Sequence, residues 1–259
     1  MRTYQGGSTL IVVMALLVII TIIGTLAIRN SSVSLNIATN SQAQQIMTQS
    51  SDASLFNLQD KSQLNRYLAR NGLLGYMKDE VNKEKELVFC IRNTATRFFD
   101  INKASIISWE SGKPGPTNNS IGEEGYCKVE ESSDYVSGRK AVMTQVALRY
   151  TSTPADPFQL MTRGTDPVSG KLEDSVRLLV YSISLMPTLA SDVDITKINT
   201  CLSKHLNLAI EPIDASYDSN NASQVTANEN GKISVAQCLK KLNVPYTTQI
   251  AEYKLYQDL

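Results

Sequence analysis

The side chains best suited to chemistry in this sequence are four cysteines, Cys90, Cys127, Cys201 and Cys238, and one histidine, His205. None of the cysteines forms a Cys-x-x-Cys pair and His205 is the only imidazole, so the spacing of zinc ligands is missing and the expectation is no metal and no cofactor. An even cysteine count instead reads as two disulfides. Three connectivities exist. The local pairs Cys90–Cys127 and Cys201–Cys238 are preferred, each closing a loop worth roughly 4 kcal/mol by the chain-entropy model. Gly164-Thr-Asp-Pro-Val-Ser-Gly170-Lys171 only brushes a phosphate loop. Its glycines stand one residue too far apart, and Leu172 sits where a Mg²⁺-binding hydroxyl belongs. Asp214, Asp218, Asn220 and Asn221 offer oxygens without the spacing of a calcium loop, and read as a solvated loop. His205 reads as a packing or surface residue, and Trp109 and Tyr126 as core. No catalytic residues are expected, and the chain reads as not an enzyme.

The 259 residues carry 25 basic and 25 acidic side chains. A zero balance gives no basic excess with which to neutralise phosphates, so nucleic acid is not an expected partner. The charges are unevenly spread. After Arg2 the next is Arg29, and after Arg29 the next is Asp52; the first proline is Pro114. Residues 8–28 are almost wholly apolar, and as a helix they span roughly 30 Å, the hydrocarbon core of a bilayer. A seven-residue leader, Met-Arg-Thr-Tyr-Gln-Gly-Gly, precedes them. Glycine at position 7, with no Cβ, suits entry of the backbone into a narrow peptidase cleft. Cleavage there keeps the apolar helix on the mature protein. A plain anchor, or a secretory signal cut after Thr25-Leu-Ala27, are the ordinary alternatives.

Of the 22 residues from 30 to 51, 15 are Ser, Thr, Asn or Gln, with no Pro, Gly or charge. Val33, Ile37, Ala43, Ile46, Met47 and Ala53 recur near helical spacing. The expectation is one helix from about 8 to about 58, whose outer half packs among other helices through small polar side chains. A solvated stalk is the alternative.

The run Gly-Gly-Ser-Thr-Leu-Ile-Val-Val-Met after a short Arg-bearing leader resembles a type IV prepilin N-terminus. The longer run Leu-Ile-Val-Val-Met-Ala-Leu-Leu-Val-Ile-Ile-Thr-Ile-Ile-Gly-Thr-Leu-Ala-Ile-Arg is similar to that of the PilX group of minor pilins. The resemblance covers about the first 50 residues. It implies cleavage between Gly7 and Ser8 by the prepilin peptidase and N-methylation of Ser8. Most pilins carry Glu at the fifth mature position, where this chain has Val12. In the family that carboxylate is thought to pair with the N-terminal ammonium of the preceding subunit, and unpaired it would be costly in a low-dielectric filament core. A tip subunit has no predecessor, so Val12 implies a tip or priming role.

The implied function is a minor pilin that helps initiate type IV pilus assembly in a priming or tip complex, with other minor pilins and the major pilin as partners and a tip adhesin as cargo. The implied location is the inner membrane, single-pass with the C-terminal part periplasmic and inner-membrane lipid around the helix before assembly, and then the pilus tip. The rivals are a signal-anchored periplasmic binding protein or hydrolase, and the K-type minor pseudopilin of type II secretion.

The expected fold class is α+β and pilin-like: a long N-terminal helix, membrane-spanning in its first half, on an antiparallel sheet, with a disulfide-tied C-terminal α/β region. The expected organisation is leader 1–7, span 8–28, helix continuation 29–60, globular domain 61–190 and C-terminal region 191–259. A short helix at 62–70 shows Leu64, Tyr67 and Leu68 on one face. Residues 86–92, 104–110, 142–150 and 175–186 read as strands, and 111–125 as a Gly/Pro/Asn-rich loop. These strands suggest a meander with one face available to a helix. Two C-terminal helices follow. The first has N-cap Asp194, with Ile195, Ile198, Leu202 and Leu206 on one face. The second has a Ser234/Gln237 capping box, with Pro245 closing it. A polar loop at 213–232 separates them, and 247–257 reads as a last strand.

Overall fold

The computed structural model describes residues 8–82, 85–95, 97–110, 113, 115–121, 124–151, 176–190, 193–208 and 233–255. The Gly164–Leu172 segment and Asp214, Asp218, Asn220 and Asn221 lie outside them. The chain divides into two units, residues 1–45 and 46–259. Helix α1, Ser8–Leu58, contributes to both.

In the first unit every large apolar residue from Leu10 to Ile28 is more than half exposed. By length and composition this helix can cross a membrane. Ile and Val outnumber Ala and Leu over residues 8–28, so hydropathy rather than intrinsic helix propensity marks the segment. Thr21 and Thr25 return their hydroxyls to carbonyls three residues back, Val18 and Ile22.

The second unit is built on a six-stranded antiparallel sheet in the order β3-β2-β1-β4-β5-β6. The strands are β1 Glu86–Cys90, β2 Ala104–Ser108, β3 Thr117–Ser120, β4 Met143–Thr151, β5 Val176–Leu185 and β6 Tyr246–Leu255. Strand register sorts the side chains into two faces. Thr144, Val146 and Leu148 lie opposite Ser184, Ser182 and Val180, while Gln145 and Ala147 lie opposite Ile183 and Tyr181. The first face carries a core of Leu87, Phe89, Val146, Leu148, Leu178 and Val180 together with Leu58 of α1, Tyr67 of α2 (Leu64–Leu68), and Leu73 and Met77 of α3 (Leu73–Met77). The second carries Met143, Ile183 and Leu185 packed against Ile198 and Leu202 of α4 (Ile195–Lys204) and Leu239 of α5 (Val235–Lys241).

Both faces are therefore covered, where the alternation in the sequence suggested one. Seven consecutive residues, Val142–Leu148, are buried, because Gln145 on the second face bonds to protein rather than to water. Three further expectations are corrected. The polar 111–125 segment contains strand β3, held to β2 by backbone pairing from Thr117↔Ser108 to Ser120↔Ser105. The 62–70 helix is a 3-10 turn, Lys61–Gln63, followed by α2, and of its apolar face only Tyr67 is buried; Leu64 and Leu68 remain about 40% exposed, at 39% and 42%. The last helix ends at Lys241, closed by the left-handed backbone of Asn243 (φ 54°), and Pro245 instead precedes β6. The N-caps are as the sequence indicates. Asp194 accepts from Thr196 N, and Ser234 and Gln237 form a reciprocal capping box.

Candidate functional site

The N-terminal processing residues sit at the start of α1. Ser8 is its first residue, Gly7 lies outside the described residues, and Val12 is 54% exposed one turn further on. No acidic residue occupies the first turn of α1. From Leu10 to Ile28, fourteen large apolar side chains face outward, a surface that water alone does not tolerate.

Beyond residue 45 the helix acquires a buried side. Met47, Ser51, Ser54 and Leu58 are buried at spacings of four, three and four residues, one stripe of a helix. Half of that stripe is hydroxyl. Ser50 Oγ lies 2.7 Å from Thr144 Oγ1, which lies 2.7 Å from Ser184 Oγ, which lies 2.8 Å from Ser51 Oγ. Ser54 Oγ lies 2.6 Å from Ser182 Oγ and 2.7 Å from the Ser51 carbonyl. Each hydroxyl has at least one partner, and Thr144, Ser184 and Ser54 have two, so burial leaves none of these groups orphaned. Small side chains on both sides let the helix backbone approach β4 and β5 closely. The edge of the docked face is fixed by Gln249 Nε2 donating to Asp52 Oδ1 at 2.7 Å and by the Tyr253 hydroxyl donating to the Leu55 carbonyl at 3.4 Å.

On the opposite face lie two disulfides, of which the second ties the C-terminal helices. Cys90–Cys127 joins the end of β1 to the 124–135 segment with Cα atoms 4.8 Å apart. Cys201–Cys238 joins α4 to α5 at 5.6 Å. Polar brackets flank them. Arg92 Nε donates to Asp134 Oδ1 at 2.6 Å, and the second Asp134 oxygen accepts from Lys128 N. Gln145 accepts from Cys127 N and donates to the Leu202 carbonyl, binding both disulfide regions to β4.

The least expected group is Glu86, which is fully buried at the start of β1. Its carboxylate accepts from Asn207 N, from Asn207 Nδ2 and from Leu208 N at 2.9 to 3.1 Å. Arg149 Nη1 stands 4.0 Å away and donates to the Leu208 carbonyl at 2.9 Å. Burial pushes the Glu86 carboxyl pKa upward, and these donors pull it back. The cluster clamps residues 207–208 onto the sheet. Sequence gave no sign of it, since a Glu opening a strand ordinarily faces water.

His205 caps the end of α4, is 6% exposed, and has Nδ1 3.1 Å from the Ile233 carbonyl. Burial is the chief cause of its lowered pKa, opposed by the Ile233 carbonyl and reinforced by Lys241. It is a packing residue with one ring nitrogen committed to backbone. Trp109 and Tyr126 are half-buried beside the core rather than within it. Trp109 Nε1 donates to the Lys113 carbonyl, and the Tyr126 ring lies under Lys128 Nζ at 5.6 Å. Among the described residues no group of three or more His, Cys, Asp or Glu side chains could hold a metal ion.

Comparison with protein-family models, with curated proteins and with solved structures finds no match.

Proposed function

We propose that the chain is a non-enzymatic minor pilin, PilX-like, that helps prime type IV pilus assembly and occupies the filament tip. The observation that carries this reading is helix α1. Over its first turns it is apolar and exposed, and over its last turns it is seated on a sheet through a hydroxyl stripe. Fourteen exposed apolar side chains between Leu10 and Ile28 require a non-aqueous neighbour. Before assembly that neighbour is inner-membrane lipid, with the second unit in the periplasm. After extraction it is the helices of other minor pilins and of the major pilin, where apolar burial of similar extent replaces the lipid.

In this reading the prepilin peptidase cuts between Gly7 and Ser8, and Ser8 is N-methylated. Val12 gives the helix no buried carboxylate in need of a cationic predecessor, which suits the first subunit of a filament and a partner adhesin above it. The two disulfides suit an oxidising compartment. Replacing Gly7 by Leu tests the reading in the cell. The expected result is an uncut precursor in the membrane and loss of surface filaments. Normal filaments with an uncut Gly7→Leu chain would refute it.

A further inference from the structure

On the first face of the sheet, away from the docked stripe of α1, α2 and the 97–102 segment enclose an open cavity of about 260 Å³. Two guanidinium groups line it, Arg66 and Arg97. Two carboxamides, Asn71 and Asn102, line it as well, and its floor is aromatic, from Tyr67 and Phe99. In a chain with no net charge this is a local cationic excess. The one carboxylate in the wall, Asp100, offsets one of the two positive charges and leaves the lining at +1; its Oδ1 accepts from Asn102 N at 3.0 Å as the cap of a 3-10 turn. Arg66 has a neutral partner, Gln63 Oε1 at 3.3 Å, and among the described residues neither guanidinium is ion-paired.

The cavity is preformed. Phe89 of β1 meets Phe99 edge-on at 5.2 Å and Phe98 at 5.4 Å, and Phe98 in turn meets Tyr67 at 6.4 Å, so the floor is anchored to the sheet. The Tyr67 hydroxyl donates to the Asn57 carbonyl at 3.2 Å. The far wall is fixed by Gly72, where an added Cβ would collide with the Arg66 carbonyl oxygen; only glycine lets α3 begin that close to α2.

From this lining we infer that the cavity binds a small organic carboxylate about one ring in size, with the carboxylate between the two guanidinium groups, the ring on the aromatic floor and its polar substituents at the two carboxamides. Planar guanidinium groups match carboxylates in bidentate fashion, and a volume at the small end for ligand pockets admits one ring rather than a chain. This inference stands apart from the proposed role in filament assembly, since it uses none of the residues of α1 that face outward.

The test is ligand-observed saturation-transfer NMR on the full chain in detergent micelles. The probes are glucuronate, 4-hydroxybenzoate and uncharged glucose. Saturable transfer to glucuronate or to 4-hydroxybenzoate is the expected result, and whichever binds tighter identifies a sugar ring or an aromatic ring as the natural bearer of the carboxylate. Glucose should bind on the order of 10-fold more weakly, and the Arg66→Gln/Arg97→Gln double variant should lose on the order of 10-fold or more in affinity for the acid. Both arginines are exposed, so the variant should keep the fold. The unmodified protein supplies an independent readout: raising ionic strength from about 0.01 M to about 1 M shortens the Debye length from about 30 Å to about 3 Å and should weaken the acid but not glucose. Equal binding of glucose and glucuronate, no saturable transfer from either acid, or an acid affinity indifferent to salt and to the double substitution would overturn the inference.

Discussion

Replacing Glu86 by Leu removes the acceptor for two backbone N–H groups, Asn207 N and Leu208 N, and for the Asn207 carboxamide, and the opposite charge 4.0 Å from the Arg149 guanidinium. Two orphaned part-buried N–H groups cost at most about 1–3 kcal/mol each, and breaking a buried charge cluster from one side costs about 3–5 kcal/mol, so the two routes agree on the scale. For a unit of residues 46–259, each kcal/mol moves the melting temperature by about 2–4 °C. The Leu variant should therefore melt about 6–20 °C lower. Glu86→Gln keeps one acceptor oxygen and should lose about half as much at neutral pH. The single tryptophan, Trp109, packs beside the Val88, Ala147 and Leu206 cluster, so its fluorescence reports this region during heating of the full chain with its disulfides intact. The sign with pH is also fixed. Because the folded-state pKa of Glu86 is raised, the folded protein retains a proton that the unfolded chain releases, and stability falls as pH rises between the ordinary glutamate value and the folded one. Glu86→Gln should abolish that slope. A Leu variant melting within about 2 °C of the parent would refute the idea that this carboxylate clamps residues 207–208.

His205 has a lowered folded-state pKa, so its neutral form supports the fold above about pH 6.5, and that support should fade as acid titrates the unfolded and then the folded imidazole. His205→Gln should flatten this part of the pH–stability curve measured by thermal melting; an unchanged slope would exclude His205 as its source. In the hydroxyl stripe, Ser182→Ala removes one of the two partners of Ser54 Oγ, which keeps the Ser51 carbonyl, and should cost about 0.5–1.5 kcal/mol in denaturant unfolding. The Ser54→Ala/Ser182→Ala double variant should cost no more than the single, because both partners are then gone; additive losses would contradict direct pairing.

How far the sequence discloses this molecule depends on which physical signal each element carries. The apolar run of α1 is long and unmixed, so hydropathy alone finds it, and Asp194 and Ser234/Gln237 announce their helices by cap chemistry. The docked side of α1 is hidden because half of its buried stripe is Ser51 and Ser54, with half-buried Ser50 beside them, residues that look solvent-facing until β4 and β5 bring their own hydroxyls opposite. Strand β3 is hidden for a different reason. Thr-Asn-Asn-Ser has little side-chain preference for a strand, and backbone pairing to β2 decides. The second covered face escapes because Glu86 and Gln145 read as outward polar positions, whereas each bonds to chain more than 50 residues away. The two disulfide pairs were legible by locality, and the cationic cavity was not, since Arg66 and Arg97 meet only when the α2–α3 turn folds beside the segment after β1.

The proposed role requires that the apolar helix stay with the mature protein. Intact-mass and N-terminal peptide mass spectrometry of the native chain, from cells with and without the prepilin peptidase, measures that directly. The expected mature form starts at N-methylated Ser8 and keeps residues 8–28, and the leader persists when the peptidase is absent. A mature chain that starts after Ala27, or one whose N-terminus is the same in both strains, would contradict it.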